Sequence, residues 1–142
     1  MLSARGRYYF VSGTAIARSL LAANTALTAV VPALRIFAGG LPQGIVLPAI
    51  SVTKVTGNQL NTVAMTGSHL ATEHVQVTVS AKTYASQKQC LALALAALPN
   101  THAVVATFNC ESVVPGSEGP DFYDPVAIIY QGSHDFVVKF HR

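Results

Sequence analysis

EHVQVTVSAKTYASQKQCLALALAAL, residues 73–98, changes its polarity period halfway along. Between Glu73 and Lys82 the side chains alternate: Val75, Val77, Val79 and Ala81 form one set, His74, Gln76, Thr78, Ser80 and Lys82 the other. Successive side chains of a strand point to opposite faces, so this run predicts a half-buried strand. Thr83 then offers a hydroxyl to cap a helix beginning at Tyr84. Tyr84, Lys88, Leu91, Leu95 and Leu98 recur at helical spacing, widened by Cys90 and Leu93, and the intervening alanines let such a helix lie close on a sheet. Pro99-Asn100 ends it. No catalytic residue stands at the junction, which reads as a scaffold presenting edges and loops.

Working outward, residues 1–13 read as an arm. TAIARSLLAANTALTAVV, residues 14–31, follows as an alanine-rich helix with Thr14 placed as its cap, Asn24-Thr25 as a break, and Pro32 as its end. A short strand is expected at Ile36-Phe37, then a loop punctuated by Gly39, Gly40, Pro42, Gly44 and Pro48. AISVTKV, residues 49–55, alternates as a strand, and residues 56–71 read as a long protruding hairpin or mobile loop. After the central helix, residues 103–114 form one strand with Val104, Ala106, Phe108 and Cys110 as its apolar set. PGSEGPDFYDP, residues 115–125, is an acidic turn-rich loop. The last strand has Ile128, Tyr130, Phe136, Val138 and Phe140 as its inward set. The sum, α-β-β-β-α-β-β, is an α+β fold: a largely antiparallel sheet of about five strands with two helices on one face, in a single domain over residues 14–142.

Composition narrows the function. Hydrophobic residues make up 51% and charged residues 11%, against a usual charged share of roughly 25%. So little charge cannot coat a whole exterior, and large uncovered apolar patches mark interaction sites, which points to an oligomer. The net charge is +3, and no acid precedes Glu73, while Glu111, Glu118, Asp121, Asp124 and Asp135 gather late. No run of adjacent Lys or Arg forms a nucleic-acid patch. The basic start MLSARGR has only YYFV as an apolar stretch, too short for a secretory core, and no run approaches the ~20 residues of a membrane span. Cys90 and Cys110 read as buried free thiols.

Three kinds of chemistry find no support in the spacing. His69, His74, His102, His134 and His141 share no metal-ligand spacing and read as surface histidines. In QGSHD, Ser133, His134 and Asp135 are adjacent on a strand, so His134 turns away from both neighbours and no triad assembles. Glu118, Asp121 and Asp124 do not follow a calcium-loop spacing, and no phosphate cradle is present. Neither catalytic residues, cofactor nor metal is expected. A small soluble enzyme or ligand-binding domain, with a cavity between helix and sheet near Tyr84 and His102, is the alternative from a different class.

The order of these elements resembles the tail-completion family of long-tailed bacteriophages, the tail-terminator or tail-to-head joining proteins. The resemblance is carried by IARSLLAANTALTAVV, the RIF strand, the Gly/Pro loop ending in LP, AISVTKV, the V-x-V-x-V-x-A-x-T-Y run into the helix, DFYDP and the closing FVVKFHR. It implies a non-enzymatic virion protein forming a hexameric ring at the head-proximal end of the tail. Such a ring stops tube polymerisation and meets a tail-tube protein and a connector or stopper protein; DNA passes through its lumen without sequence-specific reading. Assembly would occur in the host cytoplasm, with no membrane involved. Another neck or minor tail component is the nearer alternative. On this reading Gln59, Leu60, Asn61, Met65, Glu118, Asp121, Phe122 and Tyr123 are interface candidates, with the aromatic pair as anchors. Glu111 and Asp121 are candidates to line the lumen and repel phosphates.

Overall fold

The computed structural model describes residues 13–60, 70–98, 100–105 and 108–141, with backbone alone for 59, 60, 100–105, 108 and 109. Helix α1 (Gly13–Ala23) breaks at Asn24, whose Oδ1 accepts from Leu27 N at 2.9 Å and so caps a second, one-turn helix, α2 (Thr25–Thr28). Pro32 ends this region and a 3₁₀ turn (Ala33–Arg35) leads into β1 (Ile36–Ala38). Arg18, projecting from α1, donates to Ile36 O at 3.0 Å and Ala33 O at 3.2 Å, tying the helix to that strand's start. Beyond β1 come β2 (Ala49–Leu60), β3 (Leu70–Ala81), α3 (Tyr84–Ala97), β4 (Asn100–Val105), β5 (Phe108–Glu118), β6 (Phe122–Asp124) and β7 (Ile129–His141).

One sheet holds them all, in the order β1-β2-β3-β7-β5-β4, with β6 paired to β7 beside the end of β5. Only β1-β2 is parallel; the other pairings are antiparallel. β2 and β3 form the expected long hairpin, in register from Ala49↔Ser80 out to Leu60↔Leu70, with a shift between Lys54 and Thr56. β3 and β7 pair without interruption from Leu70↔His141 to Ala81↔Tyr130 and form the sheet's centre.

The alternation read in residues 73–82 decides which face is covered. Val75, Val77 and Val79 share a face with Phe136, Val138 and Phe140, and α1 and α3 pack there with Ile16, Leu21, Cys90, Leu91 and Leu98. Each fully buried side chain of that size contributes about 1.5–3 kcal/mol, so this one layer supplies the driving force of the fold. Glu73 lies on the same face, 2% exposed, and its Oε1 accepts from Gly13 N at 2.9 Å. A carboxylate at a helix N-terminus meets the positive end of the dipole. Thr14 therefore sits inside the first turn of α1, and Gly13, assigned by sequence to the arm, begins the helix.

The α+β class and the placement of both helices agree with the sequence reading, and four details differ. Residues 103–114, expected as one strand, divide into the β4–β5 hairpin, closed by Val105↔Phe108. Of its expected apolar set, Cys110 is buried, Ala106 lies outside the described residues, and the side chains of Val104 and Phe108 do too. The acidic loop contributes a strand of its own, β6. The buried stripe of α3 is Gln87, Cys90, Leu91, Ala94 and Leu98, whereas Tyr84 is 47% exposed. Its C-terminal half is apolar all round, so hydrophobicity alone does not orient it; Gly132 does. Gln87 lies over that glycine so closely that a Cβ there would fall 1.4 Å from Gln87 Nε2. Finally, Ile128 does not point inward. It stands in the turn before β7 with φ 58° and is 60% exposed. Asp124 holds that turn, its Oδ1 accepting from Val126 N and Ala127 N and its carbonyl from Ile128 N.

Candidate functional site

Among the described residues no helix lies over the sheet's other face. Strand alternation places Thr72, His74, Gln76 and Thr78 of β3 there, with Gln131, Ser133, Asp135 and Lys139 of β7. Gln131 Nε2 donates to Ser80 Oγ at 3.2 Å and Gln76 Nε2 to Ser133 Oγ at 3.5 Å, so amides and hydroxyls satisfy one another across the strands. Ser133 and Asp135 thus lie on the open face. His134 lies on the covered one, its ring 5.2 Å from that of Phe136 and its Nδ1 2.9 Å from the Asp135 carbonyl. The adjacent Ser-His-Asp residues do not converge.

β6 separates the two aromatic candidates, because neighbours on a strand face opposite ways. Tyr123 turns to the helix side and stacks on Tyr130 at 4.5 Å, which meets Tyr84 edge-on at 6.1 Å. Asp121 joins this cluster: Tyr84 donates its hydroxyl to Oδ2 at 2.8 Å, and Lys88 Nζ lies 2.9 Å from Oδ1. The Lys88 ammonium, then the Tyr84 hydroxyl, hold the Asp121 carboxyl below its ordinary range, while Asp121 raises Lys88. This cluster staples β6 to α3. Phe122 faces the open side and is 60% exposed. It walls a cavity of about 290 Å³ with Pro120, Gln76, Thr78, Gln131 and Ser133.

Beside it, a second cavity of about 410 Å³ lies between the loop after β1 and the turn before β7, lined by Leu41, Pro42, Ile45, Leu47, Ala127 and Ile129. Gln131 borders both cavities. Val46, Val126 and Ile128 stand exposed around it, so an apolar corner adjoins the polar face. Neither cavity is the one expected between helix and sheet near Tyr84 and His102. Tyr84 instead points to Asp121, and the side chain of His102 lies outside the described residues.

Of the other candidates, Gln59 and Leu60 are the last residues of β2, with side chains outside the described residues, and Asn61 and Met65 fall outside them entirely. Glu118 closes β5 and is exposed. Glu111 Oε1 lies 2.7 Å from His141 Nε2. Glu111 and Asp121 therefore both have partners within the chain. Sequence reasoning missed the corner at Val46, Val126 and Ile128; its signal was apolar residues in a Gly/Pro loop and beside Pro125, where a surface loop has no local use for them. Cys90 and Cys110 are free and buried, and burial pushes both thiols above their ordinary value, away from thiolate reactivity. Among the described residues no group of His, Cys, Asp or Glu is gathered to hold a metal, and no helix is long and apolar enough to cross a membrane.

The described residues thus form an α+β sheet with one helix-covered face, one face without a helix and an apolar corner. The chain belongs to the family described as tail completion protein gp17, whose model matches residues 16–138. No curated protein matches it. A chain from the virion of a native gene transfer agent particle shares its fold, with TM-score 0.66 and 14% identity, over 92% of this chain and 96% of that one.

Proposed function

We propose that this chain is a non-enzymatic virion protein that forms a ring, six copies on the family's pattern, at the head-proximal end of a phage tail. The ring ends growth of the tail tube and joins the tail to the neck. Family membership across residues 16–138 carries the reading. The fold supports it: a closed ring needs two different surfaces on each copy, and the sheet offers different edges. On one side β1 ends its pairing at Val52, leaving β2 from Thr53 onward with β3 as its only strand neighbour among the described residues; on the other side stands β4. An unpaired edge invites another chain.

The segment carrying Gln59, Leu60, Asn61 and Met65 and the segment carrying Glu118, Asp121, Phe122 and Tyr123 contact adjacent subunits, the tail-tube protein or the connector. Phe122 is the freer anchor, since Tyr123 and Asp121 already bind within the chain. DNA passes the lumen without sequence-specific contacts, and Glu111 with Asp121 supplies negative charge moderated by His141 and Lys88. Assembly takes place in the host cytoplasm. The test adds the purified chain to polymerising tail-tube protein. Short, capped tubes by electron microscopy and a six-copy ring by native mass are expected. Tubes that elongate unchanged beside a chain that stays single at every concentration would sink the proposal; rings that bind only connector would favour another neck component. Phe122→Ser should lose the ring while keeping the fold.

A further inference from the structure

We infer that the apolar corner around Val46, Phe122, Val126 and Ile128 seats the amino-terminal segment, residues 1–12, of a second copy of this chain. The corner is prominent: Val126 is 92% exposed, Val46 61%, Phe122 60% and Ile128 60%. Next in sequence to Val46, Val126 and Ile128 are Ile45, Leu47, Ala127 and Ile129, which wall the cavity of about 410 Å³, and Phe122 walls the adjoining cavity that shares Gln131 with it. Exposed apolar patches around a concavity mark contact sites on soluble proteins. The backbone adds an independent sign. Ile128 is β-branched, yet sits at φ 58°, a conformation disfavoured by roughly 1–2 kcal/mol for an L-residue. Strain of this kind gathers where a side chain must be held out for a partner.

The occupant is argued from chemistry and reach. RGRYYFV, residues 5–11, offers two arginines, three aromatics and a valine with no acid. Aromatic and arginine side chains are the usual anchors of apolar pockets with a negative rim. The rim carries a carboxylate: Asp124 shares the open face with Phe122 and has no ion pair among the described residues. The segment comes from a second copy because of where it is tethered. Gly13 sits against Glu73 on the covered face, whereas the cavity opens beside Ser80 on the other. Glu73 to Ser80 is roughly 23 Å along β3. Tyr8 stands five residues before Gly13, and five extended residues span at most about 18 Å, short of that distance even before a path within one chain rounds the sheet edge. A neighbour's segment arrives directly from solvent. The inference needs neighbouring copies, which the ring reading supplies, but it does not need a tail.

Full-length chain carrying Tyr8→Cys and Val126→Cys tests it under mild oxidation, since Cys90 and Cys110 are buried. Disulfide-linked multimers on a non-reducing gel are expected, about tenfold above a Tyr8→Cys/Ala29→Cys control. Adding Arg5→Glu and Arg7→Glu should cut the yield by about tenfold, and raised salt should do the same in the parent pair. A disulfide within one chain, or no link above the control, overturns the inference. Tube capping that persists without the link leaves the tail reading standing and removes the clasp. Links that form while tubes elongate unchecked leave the clasp standing and remove the tail reading.

Discussion

The two faces of this sheet are built from the same strands and do opposite things. On one, Val75, Val77, Val79, Phe136, Val138 and Phe140 are buried beneath two helices. On the other, Gln76, Thr78 and Gln131 are half-buried around a buried Ser133, and the face ends at an exposed apolar corner. Residues one position apart along β3 or β7 thus lie either in the helix-covered layer or on the opposite face. The same division runs through β6, where Tyr123 is stacked into the chain and Phe122 is left outside. What the comparison teaches is that the chain can vary the open face without touching the layer that folds it.

The sharpest way to break this division is Phe136→Ala. The side chain is fully buried, so its removal should cost about 3–5 kcal/mol by denaturant unfolding. A loss below 1 kcal/mol would mean that the covered face does not carry the fold. Next comes Gly132→Ala, on the covered side of β7. Its methyl would meet the Gln87 amide, and overpacking of this kind costs about 1–3 kcal/mol. On the open side the sign should reverse. Ile128→Gly relieves the left-handed residue and should raise stability by about 1 kcal/mol, while weakening assembly measured by native mass. The smallest effect belongs to the solvent-screened pair Asp121–Lys88. Asp121 is depressed in the folded chain, so its contribution is complete above the unfolded carboxyl value near 4 and fades as pH falls through the lower folded value. Lys88 is raised, so its share is complete below about 10.4 and fades as pH climbs through the folded value. Amide hydrogen exchange at residues 119–124 should therefore quicken at both extremes, and Asp121→Asn should flatten the acid limb.

Much of the covered layer was legible in the sequence. Alternation over residues 73–82 told which side chains of β3 face the core, and Thr83, as expected, accepts from Ser86 N at 3.2 Å. The β4–β5 hairpin was hidden because no Gly, Pro or Asn separates Val105 from Phe108, so turn chemistry gave no warning. Gln87 was passed over because a polar residue is not expected at a helix–sheet contact; only the missing Cβ of Gly132, across from it in space, makes room. Ile128 was misplaced because apolar alternation was carried past the point where Asp124 turns the chain. In each case a contact between distant residues outweighed the local pattern. Phe122 could be named from composition, but which of the two aromatics stayed outside depended on strand parity.

The burial of Glu73 beneath the first residue of α1 has an electrical result. It is the sole acidic residue ahead of Glu111, and it is 2% exposed. Every carboxylate that reaches water therefore comes from the closing quarter of the chain, and the rest of the exterior is neutral or cationic.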